Sequence, residues 1–240
     1  MVLMILANMG QITNNIVARN IHLAKFRPGN LQQSLSEDGM DAKNIMATDQ
    51  AARLKEHNGV RDLYAVGMYG YCGGKSLKDE RACTSMGFGY IFKPADIISG
   101  DLPEQYTKGA RIWGLFNRTD SSPYSPTHWQ PAFYLAFLGT IFVGVAFLVT
   151  CLIHMSALVV AAILAFIAFL LLGVAAALWT ADLYGLVHAS PLGLDFTYGN
   201  LLWFTWAACG STFLGLPALL TSSYAGRSHS GDGYEHGEYY

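Results

Sequence analysis

The residues able to do chemistry in this chain are few, and their spacing limits what that chemistry can be. Cys72 and Cys83 flank the polar stretch GGKSLKDERA, while Cys151 and Cys209 lie inside apolar runs, where a free thiol is a small apolar side chain. A structural zinc site needs four ligands, and neither further cysteines nor histidines stand near Cys72 and Cys83. A CxxC redox pair is also absent. If two strands pair across GGKSLKDERA, the two sulfurs could meet across the ladder. Closing a loop of that size stabilises by about 3 kcal/mol in the chain-entropy treatment. Disulfides persist in oxidising compartments, so the pair favours a segment outside the cytoplasm. Asn117-Arg118-Thr119 is an N-glycosylation acceptor in the same half. In the apolar half the titratable candidates are Asp182, His154 and His188. They form no acid–base pair at helical spacing within a span, and no HExxH, GxSxG or phosphate-binding loop occurs. No catalytic, cofactor-binding or metal-ligating residue is assigned, and no cofactor is expected.

The elements that must position these residues divide by charge. Of fifteen Lys and Arg, all but Arg227 precede residue 120. Between Pro131 and Leu220 there is neither Lys nor Arg, and the only acids are Asp182 and Asp195. A soluble surface carries about 25% charged residues, so this half belongs in lipid. Three runs fit spans: Ala132–Ile153, Ala157–Leu178 and Leu201–Leu220. Each is about as long as a helix needs to cross roughly 30 Å of hydrocarbon. Trp129, Trp179, Tyr184, Tyr198, Trp203 and Trp206 stand near the run ends, as interfacial aromatics do. Small residues recur four apart: Ala132, Ala136, Thr140 and Gly144; Ala157, Ala161 and Ala165; Ala207, Ser211 and Gly215. That spacing places each set on one helix face and predicts close helix packing in a bundle. So few spans with so few polar residues disfavour a transporter.

The first half reads as a water-exposed domain, residues 10–130. MVLMILA is too short for a span and lacks the charged region and cleavage site of a signal peptide; residues 1–9 are expected to be the remnant of a first span. Thr48–Glu56 predicts a short helix capped by Thr48 or Asp49. VRDLYAVGMYGYC and SMGFGYIF, rich in Tyr, Val, Ile and Phe, suit strands, and Leu102–Phe116 suits an amphipathic helix. Residues 131–220 then hold three transmembrane helices, with a tight turn at 154–156 and an exposed loop at 179–200. The polar tail 221–240 is expected to be disordered. The cysteine pair and the acceptor triplet together place the long loop outside the cell, and three crossings put the tail in the cytoplasm.

Gly67-Met68-Tyr69-Gly70-Tyr71-Cys72, preceded by Leu63-Tyr64 and followed by Cys83, then a span, a short turn, a span, a loop and a last span, resembles the fungal cortical-patch (eisosome) and PalI-like membrane proteins, which are similar in layout to animal claudins. Tyr69 stands where the family usually has Trp or Phe, and Met68 where it has Leu or Val. The resemblance implies a claudin-like helical bundle in the plasma membrane, with a small extracellular sheet clipped by Cys72–Cys83. It also implies a non-enzymatic role organising cortical membrane domains and supporting wall integrity. An auxiliary subunit of an ambient-pH signalling complex is the alternative, and a claudin-like paracellular element a third. The expected partners are the lipid bilayer, membrane proteins or a cortical scaffold, and further copies of the chain; nucleic acid is not among them. A tail of only about twenty residues favours the organiser, since PalI-like members tend to carry long ones.

Overall fold

The computed structural model describes residues 2–8, 10–11, 16–37, 44–85, 87–107, 128–152, 155–189 and 194–229. Asn117 lies outside these residues, as does His154. The N-terminal half contributes α1 (Val2–Asn8), α2 (Ile16–Asn20), β1 (Ala24–Arg27), α3 (Leu31–Glu37), β2 (Leu63–Val66), β3 (Tyr71–Gly74), β4 (Arg81–Cys83), α4 (Pro94–Asp101) and α5 (Glu104–Thr107). The apolar half contributes α6 (Trp129–Thr150), α7 (Met155–Ala189), β5 (Asp195–Tyr198) and α8 (Asn200–His229). Five strands form one antiparallel sheet in the order β4-β3-β2-β1-β5. The centre of that sheet is aromatic: Phe26 of β1 stacks on Tyr64 of β2 at 5.0 Å and meets Phe196 of β5 at 5.2 Å.

Three helices, α6, α7 and α8, are long and apolar enough to cross a membrane. Their unbroken apolarity means that only lipid can cover their outward faces, and each helix closes its own backbone hydrogen bonds. The sheet sits at the end of the bundle where α6 begins, α7 ends and α8 begins. At 35 residues, α7 is about 52 Å long, well beyond a bilayer's hydrocarbon. Its last turns therefore leave the lipid and enter the sheet domain, where Trp179, Leu183 and Leu186 join one core with Phe26, Phe92, Trp129 and Phe196. Further along the bundle, α1 buries Met4 in a smaller cluster with Val143, Ala168, Leu172, Ala208 and Cys209.

Several expectations need correction. Residues 179–189 are helix, not loop, because that part of α7 buries its apolar face against the sheet; the rest of the expected loop includes β5. Residues 221–229 continue α8 rather than beginning a disordered tail. α7 already starts at Met155, inside the turn expected at 154–156. Thr48–Glu56 forms turns rather than a helix. The Arg61 guanidinium takes the Ala52 and Arg53 carbonyls that a helix would use, and Lys55 and His57 adopt left-handed φ of 63° and 56°. Of the helix expected at 102–116, Glu104–Thr107 is helical as α5 and residues 108–116 lie outside the described residues; the separate α4 ends just before it, at Asp101. Leu102, which precedes Pro103, is extended at φ −66° and ψ 133°, as the proline ring requires. Between Ser85 and Phe92 no strand forms among the described residues. Trp129 and Trp179 are fully buried core residues rather than interfacial ones, whereas Tyr184, Trp203 and Trp206 are exposed.

The small-residue sets also divide. Ala132, Ala136, Ala161 and Ala165 are buried between helices and Ala157 is half-buried. On α6, however, the close approach is made by Gly139, where a Cβ would come within 2.8 Å of Leu172 of α7. A Cβ on Gly144 or Gly215 would meet nothing, and Ala207 and Ser211 face outward. A step of exactly four drifts around a helix of 3.6 residues per turn, so α8 turns Thr205, Ala208 and Cys209 inward instead.

Candidate functional site: a clipped hairpin seated on the helices

The β3 and β4 strands pair Cys72 directly with Cys83, Cα atoms 4.0 Å apart, and the two sulfurs are bonded. Cys72 is buried, with its sulfur 3.8 Å from the Gln11 carbonyl oxygen. Gln11 is the hub that ties this ladder to the start of the chain. Its Nε2 donates to the Arg19 and Ile21 carbonyls at 2.8 and 3.1 Å, and its Oε1 accepts from Arg81 Nη1 at 3.4 Å. Arg81 Nη2 reaches the Arg19 carbonyl at 3.3 Å. Burial, and secondarily the Arg19 charge, lower the pKa of the Arg81 guanidinium. These contacts fasten the hairpin to the chain beneath it without any carboxylate.

The residues Gly67 to Cys72 form the turn between β2 and β3 and the strand that follows. Gly67 N–H donates to the Gly70 carbonyl at 2.8 Å, closing the turn. Both glycines are dictated by close approach: a Cβ on Gly67 would lie 2.6 Å from the Gly10 carbonyl oxygen, and one on Gly70 equally close to the Thr84 hydroxyl. Met68 is buried in the domain core and Tyr71 packs on Tyr64 at 6.2 Å. Tyr69 points to the helices. Its ring meets Phe133 of α6 edge-on at 5.4 Å, and its hydroxyl donates to Asn8 Oδ1 of α1 at 2.7 Å. Asn8 Nδ2 in turn donates to the Met4 carbonyl at 2.7 Å and to Thr140 Oγ1 of α6 at 3.4 Å. Burial raises the pKa of the Tyr69 phenol, which keeps it a neutral donor. One hairpin tip thus grips two helices, and Thr140 serves there as a hydrogen-bonding group as well as a small one.

A second set of contacts holds the far side of the sheet. Arg61 is fully buried and donates to the carbonyls of Gly59 at 3.0 Å and Ala52 at 2.9 Å. Tyr64 Oη donates to Asp101 Oδ2 at 2.6 Å, and Asp101 Oδ1 accepts from the Lys55 amide at 2.6 Å. Burial pushes the Asp101 carboxyl above its ordinary pKa against these donors, and it raises that of Tyr64 still more. At the root of α8, Asn200 Oδ1 accepts from the His22 amide at 3.1 Å and Asn200 Nδ2 donates to the Asn20 carbonyl at 2.8 Å. Asp182 comes to His128 at 3.2 Å, joining α7 to the start of α6. His188 instead contacts its own helix, at the Tyr184 carbonyl.

Among the described residues no three His, Cys, Asp or Glu side chains converge as a metal centre. The polar groups that do converge, Arg61 near Asp101 and Gln11 with Arg81, make most of their hydrogen bonds to backbone atoms, to Tyr64 and to each other. Sequence reading missed Asn8, Gln11, Arg61 and Asp101 as organising residues. The available signal was weak: Asn8 and Gln11 are polar residues directly following an apolar run.

A search of the curated proteins found no match to the chain. The model of the SUR7/PalI family matches residues 1–216. That match spans the hairpin, its disulfide, α6 and α7, and reaches into α8. The chain therefore belongs to the SUR7/PalI family.

Proposed function

We propose that this protein is a non-enzymatic organiser of plasma-membrane domains of the eisosome type, supporting membrane and cell-wall integrity. In this reading the sheet domain lies outside the cell and α8 ends in the cytoplasm. One observation carries the organising role: the hairpin tip is bonded to two helices at once through Tyr69, Asn8 and Thr140, so that the water-exposed cap and the lipid-embedded bundle move as one body. A rigid cap on a small bundle suits lateral assembly better than turnover of a substrate, and the family is not known for enzymatic activity. The Cys72–Cys83 bond supports the sidedness, since such bonds persist in oxidising compartments. The Asn117 acceptor triplet in the same segment agrees with it. Ala207 and Ser211, facing outward on α8, offer a surface for a membrane-protein partner or a second copy.

Fluorescent tagging of the chain at its native locus tests the organising role. Static cortical patches are the expected result, and uniform or endosomal signal overturns it. Loss of the alkaline-pH response on deletion, with patches intact, would transfer the reading to an auxiliary subunit of ambient-pH signalling.

A further inference from the structure

We infer that the segment Gly87–Ile91 is a second membrane contact, in which Phe88 and Ile91 enter the acyl-chain region of the leaflet on the sheet side, beside α6. Phe88 is 62% exposed, yet its ring is not loose. It packs edge-on against Phe133 and Phe137, each at 5.1 Å, and against Tyr134 at 5.8 Å. Tyr134 begins the outward face of α6, which continues through the exposed Leu138 and Ile141. That face belongs to a span, so acyl chains cover it, and Phe88 is continuous with it. Phe137 lies eight residues beyond the first residue of α6, which places it about 12 Å along the helix axis. A ring touching Phe137 therefore packs about a third of the way along α6, on the apolar span itself, beyond the turn that Trp129 commits to the sheet-domain core.

The surrounding residues hold the segment in this position. Gly87 N–H donates to the Tyr69 carbonyl at 2.8 Å, anchoring the segment to the hairpin tip. Gly89 has φ +72°, and a Cβ there would come within 2.7 Å of the Tyr134 hydroxyl, so the backbone lies against the Tyr134 side chain of α6. Tyr90 turns inward onto Tyr71 at 6.2 Å, and Phe92 inserts beside Trp129 at 4.9 Å. With those two side chains buried, Ile91 is left pointing out, 42% exposed. A segment in water would not present two large apolar side chains on a fixed backbone next to a lipid-facing helix; at the bilayer boundary the same placement buries them. The inference holds whichever leaflet the sheet faces, so it stands apart from the sidedness proposed above.

The test uses the full chain in native membranes, with the photoreactive residue p-benzoylphenylalanine placed singly at Phe88, Ile91, Leu138 or Lys75. Leu138 is the lipid-facing reference and Lys75, in the exposed β3–β4 turn, the water-facing one. After irradiation, intact-mass analysis reads phospholipid or sterol adducts. Adducts at Phe88 and Ile91 at yields comparable to Leu138, and their loss at Lys75, are the expected result. A polypeptide cross-link at Phe88, to a second copy or to another protein, would overturn the inference by naming a different occupant. Absence of adducts at both Phe88 and Ile91, with Leu138 labelled, would overturn it in favour of water. Ile91 carries the test if the Phe88 variant loses its Cys72–Cys83 bond.

Discussion

The sheet domain and the helical bundle bury different kinds of atoms. Among the described residues six polar or charged side chains are buried; Gln11, His22, Arg61, Arg81 and Asp101 belong to the sheet domain, and only Thr205 to the bundle. Thr205 merely returns its hydroxyl to the Leu201 carbonyl of its own helix. The bundle instead brings backbones together where side chains are small, as at Gly139 against Leu172. The contrast follows from the solvent each region folds in. In water, burying a paired polar group costs little net free energy and leaves a large penalty for any arrangement that unpairs it. In lipid there is no hydrophobic gain between helices, so packing supplies the specificity. Polar substitutions should therefore break the domain, and changes of volume the bundle.

The largest effect is expected at Arg61. Arg61→Met removes the donor to Gly59 and Ala52 and should cost about 3–5 kcal/mol, because each buried carbonyl left without its donor costs about 1–3 kcal/mol and Asp101 loses a neighbouring positive charge. Thermal melts in detergent micelles should show early loss of near-ultraviolet signal from the sheet domain, with membrane helicity retained. Acid should act on the same region. Burial, reinforced by Lys25 and Arg81, depresses His22 to about 4 from 6.5, although the Asn20 carbonyl opposes the shift. The neutral ring is the form the fold accepts, so stability is complete above pH 6.5 and falls as the pH drops toward 4. The loss over that window is on the order of 2–3 kcal/mol. His22→Asn should flatten the slope of melting temperature against pH in that window.

In the bundle the comparison is between two glycines on one helix. Gly139→Leu forces a side chain into Leu172 and should cost about 1–3 kcal/mol. Gly144→Ala meets open space and should change stability by less than about 0.5 kcal/mol. Equal effects at both positions would mean that α6 and α7 do not pack in the register described.

The membrane spans were legible because ninety nearly uncharged residues leave few alternatives, and the cysteine pair because its flanks read as strands. The rest of the sheet was not legible. β1 and β5 are four residues each, AKFR and DFTY, with charges in both; alternation over so short a window carries no signal until β1 is seen between its two neighbours. The end of α7 was misplaced because the Gly, Pro and Asp of residues 179–200, with Ser190-Pro191, read as an exposed loop. In the fold the helix continues to Ala189, and the Asp182 carboxylate sits against His128 at the start of α6. Aromatic composition made Ser85–Phe92 look like a strand, whereas its rings are divided between the domain core and the flank of α6. The turn chemistry of Gly67 and Gly70 was visible as motif, but its purpose, seating Tyr69 on α1 and α6, depends on contacts distant in sequence.

The central claim is that cap and bundle are mechanically one body, joined at Tyr69. Hydrogen exchange of the Tyr69→Ala variant in lipid nanodiscs measures it most directly. Loss of protection should spread from the hairpin, residues 63–74, into α1 and the first turns of α6, residues 129–140, because Asn8 and Phe133 lose a partner and Asn8 is no longer held in place for its bond to Thr140. Faster exchange confined to the hairpin, with α1 and α6 unchanged, would contradict it.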